Sequence, residues 1–328
     1  NNKNIYICYN YMKNIAIITG GDSAEYDISL LSAETVLKNL DRTKYNPFLI
    51  EIKDNNWKIK IDNKFFTINK NLKITIENKE LQFKDVFMAL HGPPAENGDL
   101  QILFEKNNIN FTCCSSEVSR LTFNKYSCNK VLKELEYNIA NSIIIEKDNY
   151  QIYSIINKFK FPFIVKPNQA GSSNGISLVK KDKEIENALN MAFSHDNEVM
   201  VEEYINGTEV SCGVFKIKNE IIVLPITEIV SENEIFDYDA KYNNKSQEIT
   251  PARISNLESN LIQNNTKNIY KDMNLRGLCR IDYIISNCQP FVIEINTIPG
   301  LSEKSILPQQ LQKAGYNLKE VFTICLEN

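Results

Sequence analysis

The sequence predicts a mixed α/β fold in two or three cooperating lobes, and three observations carry that prediction. Two short apolar runs, residues 15–19 and 86–90, leave no room for polar alternation and suit buried parallel strands. From residue 110 the pattern changes to short strands alternating with helices, the mark of a second lobe. Residues 279–305, CRIDYIISNCQPFVIEINTIPGLSEKS, alternate apolar and polar with the period 2 of a half-buried hairpin. A chain of 328 residues is long enough for such an arrangement.

Taken in order, residues 1–11 are rich in Asn and Tyr and read as an extension, disordered or foreign to the natural protein, with the organised chain expected to begin at Met12. The first strand ends in Gly20 and Gly21. Asp22, Ser23 and Glu25 then precede an amphipathic helix, an arrangement that suits either an anionic ligand at the helix start or a simple capped helix after a tight turn. Residues 47–52 and 57–76 alternate like further strands. The second buried strand runs into His91-Gly92-Pro93-Pro94-Ala95-Glu96-Asn97-Gly98, and residues 100–106 read as a helix. Ligands of open α/β sheets gather at the carboxyl ends of parallel strands, so the loops after both strands are expected to face one crevice.

In the second lobe residues 121–137 read as one helix with Lys125 near its start. Residues 161–165 form an apolar strand that delivers Lys166, and residues 168–175, NQAGSSNG, follow as a loop whose small residues allow close approach to phosphate. The Lys precedes the glycines and a strand, 176–179, follows them, so this is a strand-loop-strand flap and not a Walker loop. Residues 199–205 read as a strand ending in Glu202, Glu203, Tyr204 and Ile205, with Glu209 beyond Gly207; such carboxylates suit the ribose and adenine edge of a nucleotide or a salt-bridged surface strand. Residues 236–249 form a polar loop with aromatics, as lids do. Residues 257–276 and 306–327 carry helical patterning.

In the hairpin, alternation places Arg280 and Asp282 on one face with Glu294 and Asn296, while Ile281, Tyr283, Ile285, Phe291, Ile293 and Ile295 are expected on the other. Two carboxylates and an amide beside a guanidinium make a site for a hard cation and an anion, and the Pro299-Gly300 bend returns backbone N–H groups and hydroxyls to it. The hairpin therefore reads as a nucleotide-metal site.

Composition excludes other classes. A formal charge of -4 and dispersed lysines give no nucleic-acid footprint. Eight cysteines without a C-x-x-C pair, and only His91 and His195, build no zinc constellation; reduced thiols in the cytoplasm are the simplest account, with Cys113 and Cys114 as small buried residues. No apolar run approaches membrane-spanning length.

The segments GGDSAEYDISL, HGPPAENGDLQ, FIVKPNQAGSSNGISLV, VEEYINGTEV, FDYDAKY, RIDYII and FVIEINTIPGLSEKS, in this order and spacing, resemble the D-alanyl-D-alanine ligases of the ATP-grasp superfamily over nearly the whole chain from Met12. The resemblance implies an α/β ATP-grasp fold in three lobes. These are an N-terminal parallel-sheet, substrate-binding α/β domain (12–109), a central ATP-grasp lobe (110–203) and a C-terminal ATP-grasp α+β lobe (204–328) with the lid loop and metal site. It implies ATP-dependent condensation of two D-alanines, through an acyl phosphate, into the dipeptide of peptidoglycan precursors. A cytoplasmic homodimer using two magnesium ions, with manganese able to replace them, follows from the same likeness. Alternatives are another ATP-grasp ligase joining a carboxylate to an amine or hydroxy acid, or an inactive ATP-binding protein.

By matching positions, the resemblance assigns Lys125 and Lys166 to ATP phosphates, Glu202 with Glu203 and Ile205 to the adenine side, and Glu209 to the ribose. Asp282, Glu294 and Asn296 would hold the metal ions, and Arg280 with the Gly300 N–H would form the oxyanion site. Glu25 would anchor the first substrate's ammonium, with His91 near its carboxylate; Ser305 and Leu301 would orient the second substrate's carboxylate. Ser172 and Tyr242 match a hydrogen-bonded trio with Glu25 that ties the lid to the floor, and Lys241 on the lid would reach phosphate. The chain departs from the family pattern at Tyr26, Ala95 and Cys113–Cys114, none of them a phosphate or metal ligand.

Overall fold

The computed structural model describes residues 12–62, 64–231 and 246–328. The expected extension at 1–11 lies outside the described residues. The strand Lys13–Gly20 is the centre of a six-stranded sheet, parallel to Tyr45–Lys53 on one side and Asp85–Met88 on the other. Its lack of alternation has a direct cause: both faces are covered. Ala16 and Ile18 join a core with Trp57 and Phe104, while Ile15 and Ile17 meet Ala33 and Val36 of the helix Tyr26–Asn39. The same face receives the last helix of the chain, Leu318–Glu327, whose Phe322 stacks edge-on at 5.1 Å against Phe87. Burying such a ring contributes about 2 kcal/mol, which fastens the end of the chain to its beginning.

The central sheet is antiparallel, in the order Ser177–Val179, Phe163–Pro167, Glu198–Glu203, Ser142–Glu146. The C-terminal sheet is built on Thr208–Ile217, which pairs with Glu220–Val223, Thr227–Ser231 and Cys279–Ser286; Gln289–Asn296 and Ser246–Ile249 lie at its ends. The helix Asn256–Asp272, started by a capping box between Ser255 and Glu258, covers it. Among the described residues no helix is long and apolar enough to cross a membrane.

Four expectations about local structure change. The strand Asn110–Phe111 pairs with Asp85–Met88, so the N-terminal sheet extends past residue 109. The single helix expected over 121–137 is two, Ser116–Phe123 and Lys125–Glu134, because Asn124 turns its side chain to accept from the Ser127 N–H and starts a new helix. Both pack through Val118, Cys128 and Leu132 into the core of the C-terminal sheet rather than onto the central one. The helical pattern at 306–327 likewise divides, into Ile306–Lys313 and Leu318–Glu327, across Gly315 at φ 84°. The strand Glu198–Glu203 of the central sheet is followed by Thr208–Ile217 of the C-terminal sheet.

Candidate active site

The hairpin closes through Asn287 and Cys288, both at positive φ (50° and 59°), a two-residue turn whose twist matches the strands. Asp282 then stands opposite Glu294, and Arg280 opposite Asn296. One shift of register breaks the expected alternation. Between Asp282 and Tyr283 the pairing skips Ile293, so Val292 and Ile295 enter the core while Ile293 stays on the cleft side with Glu294. That bulge corrects the face expected for Phe291, which pairs with Ile284, and for Ile293, and gives the cleft an apolar wall, Ile284 and Ile293, beside its charges.

Asp282 is 5 % exposed and fully engaged. Arg280 donates to both its oxygens (Nε to Oδ1 2.9 Å, Nη2 to Oδ2 2.7 Å), Asn296 Nδ2 donates at 3.0 Å, and the Ser211 hydroxyl donates from the neighbouring strand. Burial works against the charge of Arg280, but Asp282, Glu294 and Glu248 hold it protonated and raise its pKa. Asn296 Nδ2 also lies 3.3 Å from Glu294 Oε1, bringing two carboxylates and an amide together. This all-oxygen donor set suits a hard divalent cation that shares nucleotide phosphates.

Lys166 and Glu202, 4 % and 7 % exposed, form a buried ion pair between adjacent strands. The pair sits in a cleft that also holds Ile205, Glu209, Arg280 and Asp282. Glu203, which also borders it, is exposed and receives Asn141 Nδ2 at 3.0 Å. Lys125 lies at the head of its helix and donates to the Ala170 carbonyl at 2.6 Å, tying the flap to that helix. Burial lowers its pKa, with Lys166 adding to the effect and Glu294 opposing it.

Lys125 and Glu294 also line a second, smaller hollow with Glu25, Glu96, Ser172 and Asn296. Glu25 stands at the N-cap of Tyr26–Asn39 without capping it; its Oε1 instead accepts from Ser172 Oγ at 2.6 Å. Gly171 permits this, since a Cβ there would lie 2.6 Å from Glu25 Oε2. Glu96 was legible only as one residue of the His91 loop, yet the fold turns it toward Glu25. Burial, then Glu25 and Glu294, push its pKa up to about 8. At Gly300 a Cβ would lie 2.8 Å from Ser305 Oγ, so glycine lets the hydroxyl close on the backbone there. Ser305 also hydrogen-bonds Ser302 Oγ at 2.8 Å.

Two expected substrate contacts change. His91 is 3 % exposed; its Nδ1 donates to the Ile298 carbonyl (2.8 Å), which leaves Nε2 to accept from Ser32 Oγ (2.7 Å). With both nitrogens engaged it is a positioning residue, joining the strand end to the first helix and to the Pro-Gly bend. Leu301 is buried, and its N–H donates to Ser32 Oγ at 3.0 Å, so it does not offer itself to a carboxylate; the N–H groups beside Ser305 are those beginning the helix Ile306–Lys313. Ser32 and Ser211 thus hold the site in place. Ser211 carries a register signal, facing Asp282 across the strands, whereas Ser32 carries none. Lys241 and Tyr242 lie outside the described residues. Cys113 and Cys114 are buried as expected.

Comparison with known proteins adds a separate line of evidence. A family model described as D-ala D-ala ligase N-terminus matches residues 14–114, and one described as D-ala D-ala ligase C-terminus matches 131–327. The chain is 44 % identical over 319 residues to a D-alanine–D-alanine ligase of Flavobacterium johnsoniae, covering 96 % of this chain and 99 % of that one. It is 44 % identical over 324 residues to the corresponding ligase of Azobacteroides pseudotrichonymphae, with 97 % and 100 % covered. Among solved structures it is similar to the VanG D-Ala:D-Ser ligase from Enterococcus faecalis, with a TM-score of 0.86, 29 % identity and 96 % and 98 % of the chains covered. It is also similar to the D-alanine–D-alanine ligase from Bacillus anthracis complexed with ATP, at TM-score 0.77 and 26 % identity, with 96 % of each chain covered.

Proposed function

The chain belongs to the D-alanine–D-alanine ligase family, and we propose that it is an ATP-dependent ligase condensing two D-alanines into D-alanyl-D-alanine for peptidoglycan precursors, with the site residues in the roles that follow. The observation that carries the site reading is the position of Lys125 and Glu294, which line both the larger cleft and the smaller hollow. A nucleotide in the first and a small amino acid in the second would meet there.

The adenine would lie against Ile284 and Ile293 near Glu202, Glu203 and Ile205, the ribose at Glu209, and the phosphates at Lys125 and Lys166. Lys166 must then exchange Glu202 for phosphate. Asp282, Glu294 and Asn296 would hold two magnesium ions, whose charge offsets that of the phosphates. Glu25 anchors the ammonium of the first D-alanine, with Glu96 beside it. The carboxylate of that D-alanine attacks the γ-phosphorus and ADP leaves. The amine of the second D-alanine, its carboxylate at Ser305 and the following helix start, attacks the acyl phosphate carbonyl. Arg280 and the Gly300 N–H stabilise the resulting oxyanion until phosphate departs, a task of positioning and fixed charge. Lys241 and Tyr242 would close the site above. We assign the enzyme to the cytoplasm and to a homodimer on family grounds.

The test is phosphate release with ATP and magnesium, offering D-alanine, L-alanine, D-alanine with D-serine, and D-alanine with D-lactate, with products resolved by mass. Phosphate matching D-alanyl-D-alanine one to one is the expected result. Preferential incorporation of D-serine or D-lactate, or ATP turnover independent of D-alanine, would overturn the substrate assignment.

A further inference from the structure

Apart from the two hollows used above, a third of about 730 Å³ lies behind the segment joining the central and C-terminal sheets. The helix Lys125–Glu134 and residues 158–162 wall it, and it shares Ala140, Glu203 and Tyr204 with the nucleotide cleft. Lys130, Lys133, Lys158 and Lys160, separated in sequence, are gathered around it, and among the described residues none of their ammonium groups has a carboxylate partner. Four unpaired like charges around one hollow repel each other and attract an anion. A second observation is independent of charge. Asn129 also lines the hollow, is 4 % exposed, and its carboxamide has no hydrogen-bond partner among the described residues. The Asn129 side chain is otherwise enclosed and its carboxamide opens to this hollow, where it can meet a polar edge of a ligand. Phe161 and Tyr126 add aromatic surface.

We propose that this hollow binds a planar, phosphate-bearing ligand of the nucleoside di- or triphosphate class, at a site distinct from the catalytic nucleotide cleft. The lysines take the phosphates, Asn129 meets a polar edge of the base, and the aromatic rings cover its faces. The volume is in the range of small-molecule sites. Because Ala140, Glu203 and Tyr204 border both spaces, occupancy of one changes the affinity of the other, and the effect is reciprocal.

The experiment is equilibrium dialysis of the full chain against labelled ADP with magnesium. The expected result is two ADP per chain. K130E/K158E, at exposed positions, should remove the second ADP and leave the first; N129L should weaken the second at least tenfold. K166M should remove the other ADP, so failure of the catalytic-site reading is told apart from failure of this one. Melting temperatures of the variants check folding. One ADP per chain at millimolar concentration, or two that ignore K130E/K158E, would overturn the proposal. Tripolyphosphate binding as tightly as ADP and indifferent to N129L would overturn the planar-ligand assignment.

Discussion

The hairpin Cys279–Asn296 and the flap at 168–175 both face the bound phosphates in the proposed reaction, yet they are built on opposite principles. In the hairpin each charged group is fixed by neighbours: Asp282 alone receives four donor groups from three residues on three strands. The flap carries two consecutive serines, Ser172 and Ser173, at φ 56° and 54°, a conformation that costs non-glycine residues of order 1 kcal/mol each. Its tip reaches across to two other elements, Ser172 to Glu25 and the Ala170 carbonyl to Lys125. Fixed charges stabilise a developing anion without reorganising, while a covering element must open to admit substrate. The difference between the two regions matches that division of labour.

Damage to the hairpin should cost both stability and chemistry, whereas damage to the flap should cost chemistry far more than stability. Asp282→Ala is the most severe case: it leaves Arg280 buried without its partner, and should lower stability by about 3 kcal/mol and kcat by about 10³-fold. Urea unfolding and steady-state rates, measured together, would break the argument if stability were unchanged. Lys166→Met orphans Glu202 and should also destabilise by about 3 kcal/mol. The double variant with Glu202→Leu should recover most of that stability but no activity, separating the pair's packing role from phosphate binding.

On the flap, Ser172→Ala should reduce kcat/KM for the first D-alanine about tenfold and lower the melting temperature by only a few degrees, since the buried hydroxyl contributes about 1 kcal/mol. A drop of many degrees would show the flap to be structural. Ser32→Ala, which cuts the bridge from Leu301 to His91, should cost about 1 kcal/mol and raise KM for D-alanine while sparing KM for ATP. Glu96 governs a pH dependence of stability. Its folded pKa is raised from 4.5 to about 8, so the folded chain binds the proton more tightly and stability falls as pH rises through that interval. Glu96→Gln should flatten this decline by a few degrees at pH 8, read by thermal melts from pH 5 to 9.

The hairpin was the more legible region because its information is local. Period-2 alternation fixed the shared face of Arg280, Asp282, Glu294 and Asn296 from sequence alone. The same rule misplaced Ile293, because a bulge depends on how two strands must bend to meet their neighbours. The flap was recognised from its small residues, but its bond to Glu25, 147 positions away, was visible only through family likeness. Glu96, Ser32 and the engaged state of Leu301 escaped notice for a similar reason: each depends on a partner brought close by folding.

What the sequence determined by itself is therefore the set of buried strands, the hairpin's chemical face, the order of the loops proposed to face phosphate and, through seven motifs in register, the family. Tertiary structure decided the rest. It moved helices 116–134 into the C-terminal core, laid Phe322 against Phe87, turned His91 from a substrate contact into a link, and gathered four separated lysines around one hollow. The physical reason is range: backbone geometry imposes periodicity on near neighbours, whereas which distant side chains touch is set by the packing of whole elements.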